Sequence, residues 1–414
     1  MVKLLVRIVL CLSLAAPVWA QTVAIRAGNL IDPATGIVAK NQIILVKDKK
    51  IVDVGAGIAI PKDAEVVDLS GEWVMPGIMD AHTHITQSVR YFRELDANYL
   101  REDTPYRALR GLWTGQLLLN AGITTVRDVG NDANFAAVAL RRAIDRGWFV
   151  GPTVLTAGKI IAPFGGQTTG IPQEIGPFWQ FEYYDADNVE EIRKAVHENI
   201  YYGADLIKLV ADNSPYHYSV EEIRAAVEEA HHAGRAVAVH VMGGEAATNV
   251  IEGGVDSVEH GFFLTDDQLR RMKEKGIFLS GTEFPAAHFI AGEIPHGKEM
   301  GAAIIDRLAR AYKIGVKMAF GTDIVTDAPN ETRVDMTWDY LAIWTKAGVP
   351  PAEILKCMTT NNAELFRIAK ERGAIAKGLY ADIIAMPESP LENIESLRKV
   401  NFVMKNGAVV RGPK

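Results

Sequence analysis

Cysteine is almost missing from this chain: Cys11 and Cys357 are the only two among 414 residues. A disulfide framework is therefore excluded, and stability has to come from a buried apolar core. Positive charge is also in deficit, with 44 Lys and Arg against 51 Asp and Glu, a net charge of −7. That balance argues against a nucleic-acid partner. The apolar run 8–16 is shorter than the roughly 20 residues that span a bilayer, so it does not read as a membrane anchor. Low-complexity tracts are absent too, and 48% hydrophobic with 23% charged residues is a globular balance, not a disordered one. The length exceeds what one hydrophobic core usually fills, roughly 250 to 300 residues, so two domains are expected.

What is present begins with an export signal. Lys3 and Arg7 precede the apolar run, and Val18-Trp19-Ala20 ends on a small residue at a cleavage position, so residues 1–20 read as a signal peptide and Gln21 as the mature start. Cys11 follows Leu10, where lipoprotein processing needs a small residue, which disfavours lipidation. The mature protein is expected to be periplasmic or secreted, with no membrane attachment.

Residues 22–67 alternate β-rich runs, such as Gln42-Ile43-Ile44-Leu45-Val46, with turn clusters, such as Asp32-Pro33-Ala34-Thr35-Gly36. The same texture returns in Ala381-Asp382-Ile383-Ile384-Ala385-Met386 and around the turn Lys405-Asn406-Gly407. The two ends, 21–75 and 371–414, are predicted to build one small antiparallel β-sandwich. Between them, residues 76–370 alternate β-type runs with amphipathic helical patterns, the texture of repeated βα units. Eight strands are predicted, at 77–84, 123–129, 153–157, 206–210, 237–241, 257–260, 277–281 and 318–323, with helices such as 220–233 and 306–314 between them. Eight such units in that length predict an α/β fold, a (β/α)8 TIM barrel with its active site at the C-terminal strand ends.

The sharpest motif is Met75-Pro76-Gly77-Ile78-Met79-Asp80-Ala81-His82-Thr83-His84. Side chains alternate faces along a strand, so His82 and His84 point the same way, and neutral imidazole is the commonest transition-metal ligand. A lone His-x-His pair is more often structural. Other ligand-type residues, however, end further predicted strands: Lys208, His240, His260 and Asp323. Each alone has a packing explanation, but four coincidences at one rim do not.

This set, in this order, resembles the amidohydrolase superfamily in its binuclear branch with a carboxylated lysine. The likeness runs through the mature chain to Gly373-Ala374-Ile375-Ala376-Lys377-Gly378-Leu379-Tyr380-Ala381-Asp382-Ile383. Gly122-Ile123-Thr124-Thr125-Val126-Arg127-Asp128-Val129-Gly130 and the stretch 243–254 are similar to a subgroup of Xaa-Pro dipeptidases, Arg/Lys-releasing dipeptidases and ochratoxin-type amidases. The resemblance implies two divalent ions, with zinc preferred over manganese or cobalt. It assigns His82, His84 and Asp323 to the more buried ion, His240 and His260 to the more exposed one, and Lys208, carboxylated by CO2, to a bridge between them. Two such ions can hold one hydroxide and polarise a substrate carbonyl together, and Asp323 would be the catalytic proton shuttle. The implied reaction is cleavage of a C–N amide bond in a small substrate such as a dipeptide or N-acyl amino acid.

Rival readings leave different marks. A lactonase or esterase would use the same parts. A deaminase of this fold places a glutamate three residues after the histidine of strand five, and here that residue is Gly243, with Glu245 two further on. A non-catalytic scaffold should have lost ligands, and none is lost. For substrate contacts the sequence offers Gln167, where dipeptidase relatives carry histidine after two glycines, together with Tyr216, His217 and His288 in loops beyond predicted strands. Aromatic residues from Phe164 to Tyr184 read equally as a pocket lining or a packed lid. The partner expected is a small molecule, and a homo-oligomer is left open.

Overall fold

The computed structural model describes residues 22–412 except 90, 92–93, 169–170, 213–215, 295 and 327–330, so the predicted signal peptide lies outside the described residues. Its strands are β1 (Val23–Asp32), β2 (Ile37–Lys47), β3 (Lys50–Gly55), β4 (Glu65–Pro76), β5 (Ile78–Thr83), β6 (Ile123–Asp128), β7 (Thr153–Thr156), β8 (Ile160–Ala162), β9 (Tyr183–Asp185), β10 (Leu206–Val210), β11 (Ala236–Gly243), β12 (Ser257–Phe263), β13 (Phe278–Ser280), β14 (Met318–Ala319), β15 (Ile383–Met386), β16 (Phe402–Lys405) and β17 (Ala408–Arg411).

The two chain ends share one seven-stranded sheet, ordered β17-β16-β15-β4-β1-β2-β3. They join where β15 pairs antiparallel with β4, Ile384 opposite Met75. The sheet is mixed, not purely antiparallel as the sequence predicted, because β4 lies parallel to β1. The chain crosses back from Gly55 to Glu65 before β4 starts, so the hairpin texture of β1–β3 does not extend to it. Inward residues from both wings, including Ile25, Ile44, Val74, Ile383 and Phe402, share one core. Asp382 anchors the junction: it accepts from Lys405 Nζ at 2.7 Å and pairs with Arg372, all three buried.

The middle of the chain is an α/β unit of parallel strands. All eight strands predicted there are present, as β5–β7 and β10–β14, and each is buried because helices cover its outer face. They fall into sheets ordered β5-β6-β7 and β14-β13-β12-β11-β10-β8-β9. Backbone hydrogen bonds run between the two sheets, Asp205 N to Thr156 O at one side and Ala81 N to Phe320 O at the other, both 2.8 Å. The short strands β8 and β9 were not expected from sequence. The first of them continues β7 after a turn and pairs with β10, Ile161 beside Leu209.

Local signals explain the helices. Val220–His232 starts on a capping box, Ser219 with Glu222, and its inward face is Ile223, Ala226, Val227 and Ala230. The last predicted helix begins earlier than expected, at Gly297–Ile314, with His296 in the left-handed region at its start instead of a sequence-legible cap. Among the described residues no helix is long and apolar enough to cross a membrane.

Candidate active site

The C-terminal ends of the parallel strands surround a cavity of about 340 Å³ lined by His82, His84, Lys208, His240, His260 and Asp323. His82 leaves β5 inward, and His84 follows directly after it. Parallel registry sets Lys208 beside Ala238 and Val210 beside His240 on β10 and β11, and Val241 beside His260 on β12. Asp323 lies beyond β14, where its N–H donates to His82 O at 2.7 Å and so pins the loop to β5. Gly321 permits that approach, since a Cβ there would lie 2.8 Å from the Cβ of His82.

The groups interlock closely. Asp323 Oδ1 lies 3.1 Å from His84 Nε2 and 3.5 Å from His82 Nε2, and its Oδ2 lies 3.7 Å from His260 Nδ1. Ring centroids of His240 and His260 are 4.5 Å apart, and those of His82 and His260 are 4.9 Å apart. One ligand atom each from His82, His260 and Asp323 fall within 4.8 Å of one another.

Three of the four imidazoles are oriented from behind, as metal-binding histidines usually are. His82 Nδ1 donates to Glu259 at 2.7 Å, and Arg127 grips the other carboxylate oxygen of Glu259 at 2.7 Å. His84 Nδ1 donates to Gly130 O, and His260 Nδ1 shares a hydrogen bond with Thr282 Oγ1, both at 2.8 Å. With Nδ1 so engaged, Nε2 of His82 presents a lone pair inward. That nitrogen and His240 Nε2 are buried with no hydrogen-bond partner. A buried orphan acceptor is costly, so His82 Nε2, which faces the cluster, fits a group that supplies positive charge there, whereas His240 Nε2 lies 3.6 Å from Asp212 Oδ1. The donor set, imidazole nitrogen with carboxylate oxygen, suits zinc, manganese or cobalt.

Electrostatics point the same way. Burial, reinforced by the nearby Lys208 charge, holds His82 well below the usual imidazole range and takes His240 down to about 3, so both are neutral ligands in waiting. Burial opposes charge on His84 as well, but the Asp323 carboxylate outweighs it and raises that imidazole. Lys208 is 2% exposed and forms no ion pair within 4 Å among the described residues; burial lowers its amine to about 8.

Backbone strain is concentrated here. His260, within β12, and Thr282 and Asp323, beyond β13 and β14, have φ of 68°, 46° and 55° on three neighbouring strands and the loops after them. The left-handed region is costly for a β-branched residue such as Thr282 and persists only where surroundings impose it.

Of the residues expected to contact substrate, Gln167 lines the cavity and accepts from Tyr183 Oη at 3.2 Å. Tyr216 and His217 are exposed and are not part of its wall among the described residues. His288 lines a separate cavity with Asp339, 3.4 Å from its carboxylate. Glu245 is exposed on a helix outside the cavity, so the position weighed for a deaminase glutamate holds none. The aromatic lid divides: Tyr183 faces the cavity, Trp179 packs beneath it, and Phe181 is exposed. Sequence reasoning missed Tyr99, Asn131, Phe284 and Phe289, on loops and helices without a motif, and Phe262, near the end of β12, in the wall. It also missed Glu259 and Arg127. Opposite charges inside apolar strands were the available signal for that pair.

The amidohydrolase family model matches residues 73–410. The ochratoxinase of Aspergillus niger is 29% identical over 434 aligned positions, covering 95% of this chain and 88% of the relative. Among solved structures, a Xaa-Pro dipeptidase with methionine bound in its active site superposes with a TM-score of 0.85 at 29% identity, over 95% of this chain and all of the other. The A. niger ochratoxinase structure gives 0.82 at 27% identity, over 95% and 96%.

Proposed function

Because this chain belongs to the amidohydrolase family and is a hydrolase acting on C–N amide bonds, we propose that it cleaves small dipeptides or N-acyl amino acids at a two-metal centre. The observation that carries this is the buried, unpartnered Nε2 of His82, gathered with His84, Lys208, His240, His260 and Asp323 in one cavity. We read the eight parallel strands as a closed (β/α)8 barrel spanning 76–370, with 21–75 and 371–414 as a β-rich domain built on one seven-stranded sheet in place of the two-sheet sandwich expected from sequence.

In this reading His82, His84 and Asp323 would hold the more buried ion, His240 and His260 the more exposed one, and Lys208, carboxylated by CO2, would serve both as a carbamate. Two divalent ions supply an activated water and polarise the scissile carbonyl. The chain's own groups do the rest. Lys208 supports the carbamate reading because an amine adds CO2 only when neutral, and burial lowers its pKa to about 8. Asp323 is the most exposed of the closely set groups, with a side-chain exposure of 16%, so one carboxylate edge can take a proton from the attacking water and return it to the leaving nitrogen. Phe262, Phe284, Phe289, Met242 and Val325 give the wall an apolar side that excludes water and suits an apolar acyl group. Gln167, neutral where relatives carry histidine, is the substrate contact retained in this reading.

A panel of dipeptides, N-acyl amino acids, lactones and phosphoesters, offered to metal-loaded protein, tests the reaction class. Amides with apolar acyl groups are expected to turn over best. Robust cleavage of lactones or phosphoesters with no amide cleaved would sink the proposal. Natively exported material should have an intact mass beginning at Gln21, and a soluble cytoplasmic chain retaining Met1 would contradict periplasmic or secreted placement.

Thr282 offers a test on metal binding alone. Thr282→Gly removes the hydroxyl that hydrogen-bonds His260 Nδ1 while relieving the φ of 46°. Loss of a partner behind a metal-binding histidine weakens the ion by about 10–100-fold. Thr282→Gly is therefore expected to hold the second ion that much less tightly in a chelator competition without a matching drop in Tm, and Thr282→Ser to bind as the parent does. Equal metal affinity in the glycine variant would show that Thr282 does not position His260.

A further inference from the structure

Beyond the histidines, Lys208 and Asp323, the polar residues of the cavity wall are Gln87, Asp96, Tyr99, Asn131, Gln167 and Tyr183. Most of them answer one another. Asn131 Nδ2 donates to the hydroxyls of Tyr99 and Tyr183, both at 2.9 Å, and the Tyr183 hydroxyl donates in turn to Gln167. Gln87 stands outside this network. It is completely buried, and neither its Nε2 nor its Oε1 has a hydrogen-bond partner among the described residues.

A primary amide carries two N–H donors and two oxygen lone pairs, and burying it with none of them bonded is costly. Gln87 is nevertheless held firmly in that position. Its N–H donates to His84 O at 3.0 Å, and its carbonyl accepts from Arg333 Nη2 at 2.6 Å, so the side chain is carried at a fixed place beside the histidine cluster. Charge narrows what it can bind. Among the described residues the wall holds no arginine and no lysine but Lys208, while its acids are Asp96 and Asp323. A carboxylate on the substrate therefore has to be met by neutral N–H donors or by the ions themselves.

We propose that Gln87 recognises the leaving amino acid, its Oε1 accepting from the scissile amide nitrogen and its Nε2 donating to the carboxylate on the same residue. In an α-amino acid the nitrogen and the carboxylate share one carbon, a donor and an acceptor side by side. A carboxamide presents an acceptor and a donor side by side, so one fragment of substrate satisfies both orphaned atoms. Analogues that lack either group leave a buried polar atom unpaired, and sites built in this way reject them. The inference rests on the amide reading above and adds to it a free carboxylate on the leaving side, with the residue that selects it.

The test compares N-benzoyl-L-phenylalanine with N-(2-phenylethyl)benzamide, which lacks only the carboxylate, on the metal-loaded mature chain. The parent is expected to favour the acid by about 10- to 100-fold in kcat/KM, the range of a charge-assisted hydrogen bond. Gln87→Met keeps the length of the side chain and removes the amide. It is expected to lower kcat/KM on the acid by a similar factor, mainly through KM, and to bring the two amides near parity. Its Tm should not fall, because no hydrogen bond within the protein is lost. Calorimetric titration with L-phenylalanine and with 2-phenylethylamine reads the same subsite without turnover: the parent should bind the amino acid more tightly, and Gln87→Met should lose that difference. Parity of the two ligands in the parent overturns the proposal, and so does a preference that survives in Gln87→Met. Should no amide be cleaved, the amide reading fails, and the titration still decides the role of Gln87. Gln87→Leu repeats both measurements if the methionine variant folds poorly.

Discussion

Replacing Asp323 by asparagine is expected to lower kcat on an amide by about 10²–10⁴-fold, the range that a positioned general acid–base supplies. Asparagine keeps the shape and can still hydrogen-bond at the 3.1 Å separation from His84 Nε2, but it cannot accept and return a proton. The oxygen facing the metals is conserved in kind, so metal content should fall much less than turnover does. A parallel collapse of both would make Asp323 a ligand only. Retention of kcat within a factor of about ten would leave no role for it as the shuttle. An amide is the demanding case because its leaving amine must be protonated, so an ester substrate with a good leaving group should suffer less in the same variant.

Lys208→Ala should be comparably damaging, since on the proposed reading it removes at once the negative bridge and the balance of charge between two cations. Losing a charge-stabilising group at a reacting centre costs on the order of 10²–10³-fold in rate, and both ions are expected to be held less tightly. The position favours a specific rescue. Lys208 lies at 2% exposure on β10, between β8 and the strand that bears His240, and truncation leaves an elongated hollow opening on the same cluster. Acetate or propionate can occupy that hollow and restore a bridging carboxylate, so part of the rate is expected to return with added short acids and not with chloride. Lys208→Arg, which cannot add CO2, should show neither activity nor rescue. Full activity of Lys208→Ala on the same amide would place the chemistry at another site.

The legible parts of this molecule are those where one physical rule acts locally. Strands β5 and β12 could be read from apolar runs ending in histidine, and the helix at 220–232 from Ser219, Glu222 and a four-residue apolar rhythm. His82, His84, Lys208, His240, His260 and Asp323 were all nameable because each ends a strand, and parallel strands of one unit bring such ends together. The parallel run of β4 along β1 was not legible, because the two are separated by a hairpin and a crossover that carry no registry signal. Strands β8 and β9, of three residues each, are too short to show a period. Loop residues fared worst. Tyr216, His217 and His288 were singled out by residue type alone, and type does not say which way a loop turns; Tyr99 and Asn131 reach the cavity from segments with no motif. The strained φ of Thr282 likewise has no sequence mark, since nothing in Gly281-Thr282-Glu283 announces a left-handed threonine.

The central claim, that amide hydrolysis depends on two ions held by this cluster, meets its most direct test in a metal titration. Chelator-treated protein would be titrated with zinc, manganese or cobalt while hydrolysis of an N-acyl amino acid and bound metal are followed together. The account predicts negligible activity in the stripped protein, recovery that levels off at two ions per chain, and no recovery in His82→Ala. Undiminished amide hydrolysis after complete metal removal, or recovery complete at a single ion, would contradict it.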